Sequence, residues 1–156
     1  MNDLSIQNID FYNLVDKFRH DKAVSIIKFS GFGISMTPFI RNGDTLTIKL
    51  LQKDDNVKTG NIVIVQDRGG KKLFVHRIVQ SKKRAYLLKG DNKLQPDGWF
   101  SRDMILGRID KLTRGSKTNI PVKHWQSVVI AFFSKAGILN STILPFGRWV
   151  KRKLGR

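Results

Sequence analysis

The chain contains no cysteine, and its twelve acidic residues are all aspartate. Without cysteine, neither disulfides nor thiolate metal sites can form. The three histidines, at positions 20, 76 and 124, are scattered along the chain, which argues against a metal site built from histidines. A carboxylate site stays open on these grounds, but we expect no metal and no cofactor.

Long hydrophobic runs are also absent. No uninterrupted apolar stretch reaches the roughly 18 residues that indicate a membrane-spanning helix. The first ten residues lack the basic region and the apolar run of a secretory signal. We therefore expect a chain without a membrane span that stays in the cytoplasm.

Acidic residues are few relative to basic ones. The 156 residues include 29 Lys and Arg, which gives a net charge of +17. Such an excess predicts an anionic partner, either a lipid surface or nucleic acid, and carries no information about fold. The length suits one domain with a single core.

The pattern of apolar residues divides the chain into three regions. Residues 1–23 contain a short amphipathic helix at 10–22, because apolar residues recur there at helical spacing. Residues 24–111 form a mainly antiparallel β core, because short runs rich in β-branched residues alternate with turn signals and no helix intervenes. The predicted strands are 24–29, 45–50, 61–65, 72–79, 85–89 and 104–109.

The third region, residues 112–156, is a basic amphipathic tail. From Lys111 to the end there are ten basic residues and no acidic ones, together with a heavy apolar load. Two short helices lying on an anionic membrane through residues 123–156 fit this composition; the alternative is a helix packed on the β core. Trp125 and Trp149 suit an interfacial helix as well as base stacking, and we expect a membrane rather than nucleic acid.

A serine lies in a glycine-rich and proline-containing turn at residues 33–44. Gly33 gives the backbone room, while Pro38 fixes one dihedral angle and moves Thr37 out of the helical region. Such a turn is either an ordinary loop or a device that holds the Ser35 hydroxyl towards a cleft.

A serine nucleophile needs a neighbouring base and a group that orients the base. His76, on a predicted strand, is the candidate base, because an imidazole with an ordinary pKa of about 6.5 is mostly neutral at pH 7. The alternative is a half-buried sheet residue. Asp91 and Asp97 share the next loop, and either could accept from the imidazole N–H. Lys89 is expected to be solvated.

Five sequence boxes then appear in the order and approximate spacing of the signal peptidase I (S24/S26-like) serine proteases, which this chain resembles over residues 24–111. A histidine before the arginine of the third box resembles the endoplasmic-reticulum and archaeal branch of that family. The boxes are Gly33-x-Ser35-Met36-x-Pro38-x-Ile40-x-x-Gly43-Asp44, Gly60-Asn61-Ile62-Val63, Val75-His76-Arg77-Ile78-Val79, Lys89-Gly90-Asp91-Asn92 with Asp97 beyond it, and Ile105-Leu106-Gly107-Arg108-Ile109.

The resemblance implies roles for particular residues. Ser35 would be the nucleophile, His76 the general base and Asp97 the third member, with Asp91 in support. Gly33 stands where many leader peptidases carry a serine, so the oxyanion hole would rest on backbone N–H groups, including that of Ser35. By the same resemblance, the residues that contact substrate are expected to be Ile34, Met36 and Pro38.

The resemblance also implies a substrate and a place of action. Family enzymes cleave after small side chains in extended peptides that pair with a sheet edge. We expect a peptide or preprotein that carries a leader sequence. Because the sequence shows no N-terminal anchor, we expect a peripheral protease on the cytoplasmic face of the membrane, with room for a separate membrane-anchored partner.

Two other classes share these features. A self-cleaving repressor-type protease has the same fold and Ser-Met turn, but it normally uses a lysine base, and we expect the thirty residues before the core to be too few for a DNA-binding module. A non-enzymatic basic protein with a degenerate protease fold is the other alternative.

Overall fold

Eight strands and one short 3-10 helix make up the part of the chain that the computed structural model describes, residues 26–31, 33–52, 55–69, 72–115 and 117–121. The 3-10 helix, Arg102–Met104, lies between the sixth and seventh strands. The strands are β1 (Ile26–Ser30), β2 (Thr45–Leu50), β3 (Ile62–Gln66), β4 (Leu73–Lys82), β5 (Ala85–Lys89), β6 (Gly98–Ser101), β7 (Ile105–Arg114) and β8 (Lys117–Pro121).

All eight strands belong to one sheet in which every neighbouring pair is antiparallel. Seven of them follow the order β1-β2-β7-β3-β4-β5-β6, and β8 pairs with β7 outside this order. β7 is long enough to pair with β3 near its start and with β8 near its end, while β2 covers its other side. The predicted fold class, a mainly antiparallel β domain, is confirmed.

The sheet carries a hydrophobic cluster on each face. In β3 the side chains of Ile62 and Ile64 enter one cluster and those of Val63 and Val65 enter the other, as the alternation of a strand requires. Because both faces are covered, β3 reads as a continuous apolar run and not as an alternating one. β2, by contrast, buries every second residue, at Leu46, Ile48 and Leu50.

Gly107 marks the tightest approach in the middle of the sheet. A Cβ atom at this position would lie 2.6 Å from Ile48 Cγ2 and 3.1 Å from Ile64 Cγ2. These side chains belong to β2 and β3, the strands that flank β7. Only glycine leaves room for the side chains of Ile48 and Ile64 to approach the β7 backbone this closely.

The predicted strands at 45–50 and 85–89 have the observed bounds, while β6 and β8 are not among the predicted strands. β7 runs to Arg114, so the strand region continues past the predicted boundary at 111 and includes the start of the predicted tail. The predicted helix at 10–22 and residues 123–156 lie outside the described residues. Within the described part, no helix is long and apolar enough to cross a membrane.

Three segments from different parts of the sheet meet at one place. The loop 31–44 joins β1 to β2 at one end of the strand order, whereas β4 and the loop 90–97 after β5 belong to the other end. The Asn92 N–H donates to the Ser35 carbonyl over 2.8 Å and so joins the two loops. The sheet therefore brings Ser35 and the 90–97 loop into contact.

Candidate active site

Ser35 lies in a loop whose two ends are hydrogen-bonded together. The Gly31 N–H donates to the Asp44 carbonyl over 2.7 Å, and the Gly43 N–H donates to the Gly31 carbonyl over 3.0 Å. Within the loop, the Thr37 N–H donates to the Ile34 carbonyl over 3.1 Å, which makes a tight turn around Ser35. Gly33 precedes this turn with a φ of 94°, a backbone angle that favours glycine.

An ion pair anchors the far end of this loop to β7. Arg114 donates to both oxygens of Asp44, from Nε over 2.8 Å and from Nη2 over 2.7 Å, and also to the Phe39 carbonyl over 2.9 Å. The Arg41 N–H donates to the same carboxylate. The hydrogen bonds from Arg114 lower the pKa of Asp44 below its usual value, against the opposing effect of burial. A charged carboxylate therefore fixes the loop at neutral pH.

The three residues predicted to contact substrate occupy different environments. Ile34 is 72% exposed beside Ser35, and Pro38 is half-buried. Met36, in contrast, is only 4% exposed and packs in the core cluster with Ile40. The structure thus gives Met36 an anchoring contact instead of the predicted one with substrate, since a side chain in the core does not line an open groove.

His76 lies in the middle of β4, with 3% of its surface exposed. Its Nδ1 is 2.6 Å from Oδ2 of Asp97, a short contact that lacks the alignment of a straight hydrogen bond. Neither atom has a hydrogen bond to another described residue. The Phe74 ring lies 4.9 Å from the imidazole, centroid to centroid. Of the two candidate aspartates, Asp97 is therefore the one in contact with His76.

The other ring nitrogen faces Gly90 and the Ser35 turn. A Cβ atom placed on Gly90 would lie 2.9 Å from His76 Nε2 and 2.8 Å from the Ser35 carbonyl oxygen. These two atoms therefore cannot be further apart than the sum of those distances, about 5.7 Å. The structure therefore brings the Ser35 backbone, His76 and Asp97 together, while their catalytic roles stay predictions.

Asp97 is ionised at neutral pH. Burial would raise its pKa, but the contacts with His76 and Lys93 outweigh burial and hold the pKa below its ordinary value of 3.8. The Lys93 ammonium is 2.5 Å from Oδ1, the oxygen that does not face His76. The Asp97 N–H donates to the Leu88 carbonyl over 2.8 Å. The loop is thus fixed through its backbone as well as its side chain.

Asp91 contacts Arg77 instead of His76. The guanidinium donates to both carboxylate oxygens, over 2.9 Å and 2.7 Å, and to the Gly60 carbonyl over 3.1 Å. Both side chains are almost wholly buried, and the Phe39 ring lies 5.5 Å from the guanidinium carbon. Asp91 therefore does not accept from the imidazole, as the sequence had left open, because both of its oxygens bind Arg77 in a buried bidentate ion pair next to the site.

The turn 90–93 contacts every part of this arrangement. Gly90 packs against His76 and Ser35, and Asp91 binds Arg77. Asn92 donates to the Ser35 carbonyl from its N–H and to the Ile34 carbonyl from Nδ2, over 2.8 Å and 3.1 Å. Lys93 reaches Asp97. Four consecutive residues thus hold the serine loop, the histidine strand and the aspartate in register.

This arrangement has the components of acyl transfer. The backbone of a serine lies near an imidazole whose opposite nitrogen faces an ionised carboxylate, and these are the residue types of a serine hydrolase site. None of the backbone hydrogen bonds between described residues of this loop uses the Ser35 N–H. Within the described ranges, no three His, Cys, Asp or Glu residues come together as metal ligands.

Comparison with protein families gives one match, in which residues 4–110 fit the model described as Peptidase S24-like. The chain belongs to this family. The match covers more than half of the chain and includes the serine turn, His76 and Asp97. A comparison with curated proteins gave no match. The antiparallel sheet of the S24-like peptidase is consistent with that membership.

Two features of this S24-like peptidase site could not be predicted from the sequence. Lys89, expected to be solvated, is only 2% exposed, and burial lowers its pKa while the charge of Asp91 acts in the opposite direction. Lys89 pairs across the sheet with the buried Arg77, a contact that depends on strand register. The contacts of Asn92 and Lys93 are the second feature, because in the sequence these residues indicate only a turn. Asn92 binds the serine loop, and Lys93 binds Asp97, four residues further along the chain.

Proposed function

We propose that this chain is a serine endopeptidase of the signal peptidase type, in which Ser35 is the nucleophile, His76 the general base and Asp97 the residue that orients the imidazole. The proposal rests on the two nitrogens of His76 facing different partners. Nδ1 is 2.6 Å from Asp97, and Nε2 borders the Gly90 surface that also touches Ser35. The family membership supports a peptidase site at this position.

In the proposed reaction, Ser35 Oγ attacks the scissile carbonyl carbon while His76 Nε2 accepts the hydroxyl proton. Asp97 remains ionised and stabilises the imidazolium across the Nδ1 contact. The Ser35 N–H donates to the oxyanion. His76 then gives the proton to the leaving amine, and water, deprotonated by the same imidazole, releases the acyl group from Ser35.

The proposed substrate is an extended peptide with a small residue before the scissile bond. β1 leads directly into the serine loop and pairs only with β2 among the described strands, so its other side can accept a peptide through main-chain hydrogen bonds. Ile34, exposed between β1 and Ser35, would contact that peptide. We further propose that the peptide is the leader of a preprotein.

A serine-directed fluorophosphonate tests the enzyme proposal without knowledge of the substrate. In the 156-residue chain, the oxygen of one serine should displace fluoride from the probe and become phosphonylated. The variant Ser35→Ala should stay unlabelled and should cleave leader peptides at least about 10³-fold more slowly. Ser101→Ala is the matched control, because Ser101 is exposed on β6 and its side chain makes no capping hydrogen bond.

The outcomes separate the candidate functions. Labelling of Ser35 together with cleavage of added peptides supports the endopeptidase. Ser35-dependent cleavage of the chain itself, with no cleavage of added peptide, would replace it with the self-cleaving repressor type, which fits the family membership equally. A chain that Ser35→Ala leaves unchanged in both assays would be a non-enzymatic member of the fold.

We also propose that the peptidase works on the cytoplasmic face of an anionic membrane, through residues 123–156. The support is the composition of that segment, which includes Lys151-Arg152-Lys153 and no acidic residue. Replacing these three residues with glutamine should weaken binding to phosphatidylserine vesicles by about 100-fold, at about 1 kcal/mol per charge. Equal binding to neutral phosphatidylcholine, or salt-sensitive binding to oligonucleotides alone, would contradict the proposal.

A further inference from the structure

Lys93 makes the second contact with the Asp97 carboxylate. Its Nζ lies 2.5 Å from Oδ1, while His76 Nδ1 lies 2.6 Å from Oδ2. The two oxygens therefore have one partner each. A carboxylate held at both oxygens cannot rotate about its Cβ–Cγ bond without losing a contact to one of two cationic or hydrogen-bonding groups.

The position of Lys93 is set by the same turn that contacts Ser35. The Lys93 N–H donates to the Gly90 carbonyl over 3.0 Å, which closes the turn 90–93. Asp97 follows four residues later, with its own N–H bound to the Leu88 carbonyl. Both ends of the contact between Lys93 and Asp97 are thus attached to hydrogen-bonded backbone, although Lys93 itself is 46% exposed.

Among the described residues, two groups that can carry a positive charge contact Asp97. His76 faces it from β4, and Lys93 faces it from the same loop. Arg68, from the loop between β3 and β4, contacts other groups. Its guanidinium donates to the Trp99 carbonyl over 3.2 Å and lies over the Phe100 ring. The contact with Asp97 therefore belongs to Lys93.

An exposed ion pair with four-residue spacing ordinarily contributes little to stability. This one differs because its carboxylate is only 13% exposed and also contacts the histidine. We propose that Lys93 is a positioning residue that holds Asp97 against His76 and tunes the pH range in which the site reacts. The inference rests on the proposed function, because it concerns the same catalytic group.

Removal of this charge has two expected effects. Asp97 loses a stabilising cation, so its carboxyl should protonate at a higher pH in Lys93→Met than in the parent chain. The imidazole also has one positive charge fewer on the far side of the shared carboxylate, so it gains a proton more easily. The acid limb of the reaction should move to higher pH by a few tenths of a unit, since the lysine is half exposed and screened.

Carbon-detected NMR of the Asp97 carboxyl measures the first effect in the full chain without any substrate. The pH dependence of fluorophosphonate labelling at Ser35 measures the second. Lys93→Arg should restore both profiles, because it keeps the charge. Lys82→Met is the matched control: it removes an exposed lysine at the far end of the β4-β5 hairpin and should change neither profile.

We also expect kcat for leader peptides to fall about threefold to tenfold in Lys93→Met while KM stays nearly constant, since Lys93 acts through the base. An Asp97 titration that is the same in Lys93→Met and in the parent chain would overturn the inference. So would a shift that Lys82→Met reproduces. If Ser35 is never labelled in any chain, the proposed function fails, while the Asp97 titration still decides the role of Lys93.

Discussion

Replacing Gly90 with alanine tests the closest approach in the site. The added methyl group would lie 2.8 Å from the Ser35 carbonyl oxygen, 2.9 Å from His76 Nε2 and 3.2 Å from His76 Cδ2. Gly90 does not have the left-handed backbone angle that disfavours other residues. The whole effect of the substitution therefore comes from the contact between the methyl group and the two neighbours.

The size of the effect follows from these distances. Ordinary contacts of a Cβ atom begin at 3.4 Å, so Ser35 and His76 must each move away by about 0.5 Å. A displacement of 1 Å in a catalytic group lowers the rate by about 10²-fold, so a displacement of half that distance should lower it by about tenfold. Overpacking should also destabilise the domain, by about 1–3 kcal/mol.

Stability and reactivity can be separated with Gly107→Ala. This control creates a contact of 2.6 Å with Ile48 in the core, away from the 90–93 turn. We expect both variants to unfold at lower temperature, and only Gly90→Ala to react more slowly with the fluorophosphonate at a temperature where both are folded. The reasoning fails if the folded Gly90→Ala chain is labelled at the parent rate, or if Gly107→Ala slows labelling equally.

Three further predictions concern the carboxylates. Asp97→Asn should reduce the rate of peptide cleavage by about 10²–10⁴-fold with little loss of stability, because the amide cannot stabilise the imidazolium. A cleavage rate equal to that of the parent chain would exclude Asp97 from the reaction. Asp91→Ala should destabilise the domain by about 3–5 kcal/mol, measured by urea unfolding, because it leaves the Arg77 guanidinium buried without its carboxylate; a loss below about 1 kcal/mol would contradict this reading. Arg114→Gln should lower the melting temperature most above pH 5. Because the pKa of folded Asp44 is lowered, the stabilisation by its carboxylate is present above the ordinary pKa of 3.8 and is lost as pH falls through the folded pKa. The melting temperatures of the parent chain and of Arg114→Gln should therefore converge in acid. Melting temperatures that diverge there would refute the assignment.

The sequence predicted those strands whose signal is local. β2 has the predicted bounds because Thr45, Thr47 and Lys49 alternate with buried leucine and isoleucine. β6 was missed because its four residues follow a loop with proline and glycine, and only pairing with β5 makes them a strand. β8 was missed for the same reason, since its strand partner lies in β7.

In the candidate site, too, some features could be predicted from the sequence and others depend on the fold. The resemblance to a family predicted the roles of Ser35, His76 and Asp97, whereas spacing along the chain could not have placed them together. The choice between Asp91 and Asp97 also needed the fold, because both follow β5 in one loop. Burial of Lys89 depends on its register opposite Arg77, and a single sequence does not specify register.

The contact between the serine loop and the 90–93 turn has a consequence for the newly made chain. The serine loop belongs to one end of the strand order, whereas His76 and Asp97 belong to the other, so under the proposed chemistry neither end alone would contain the complete site. A polypeptide in which these two ends have not yet come together would therefore lack proteolytic activity. Topology alone would then delay hydrolysis until the two ends of the sheet meet.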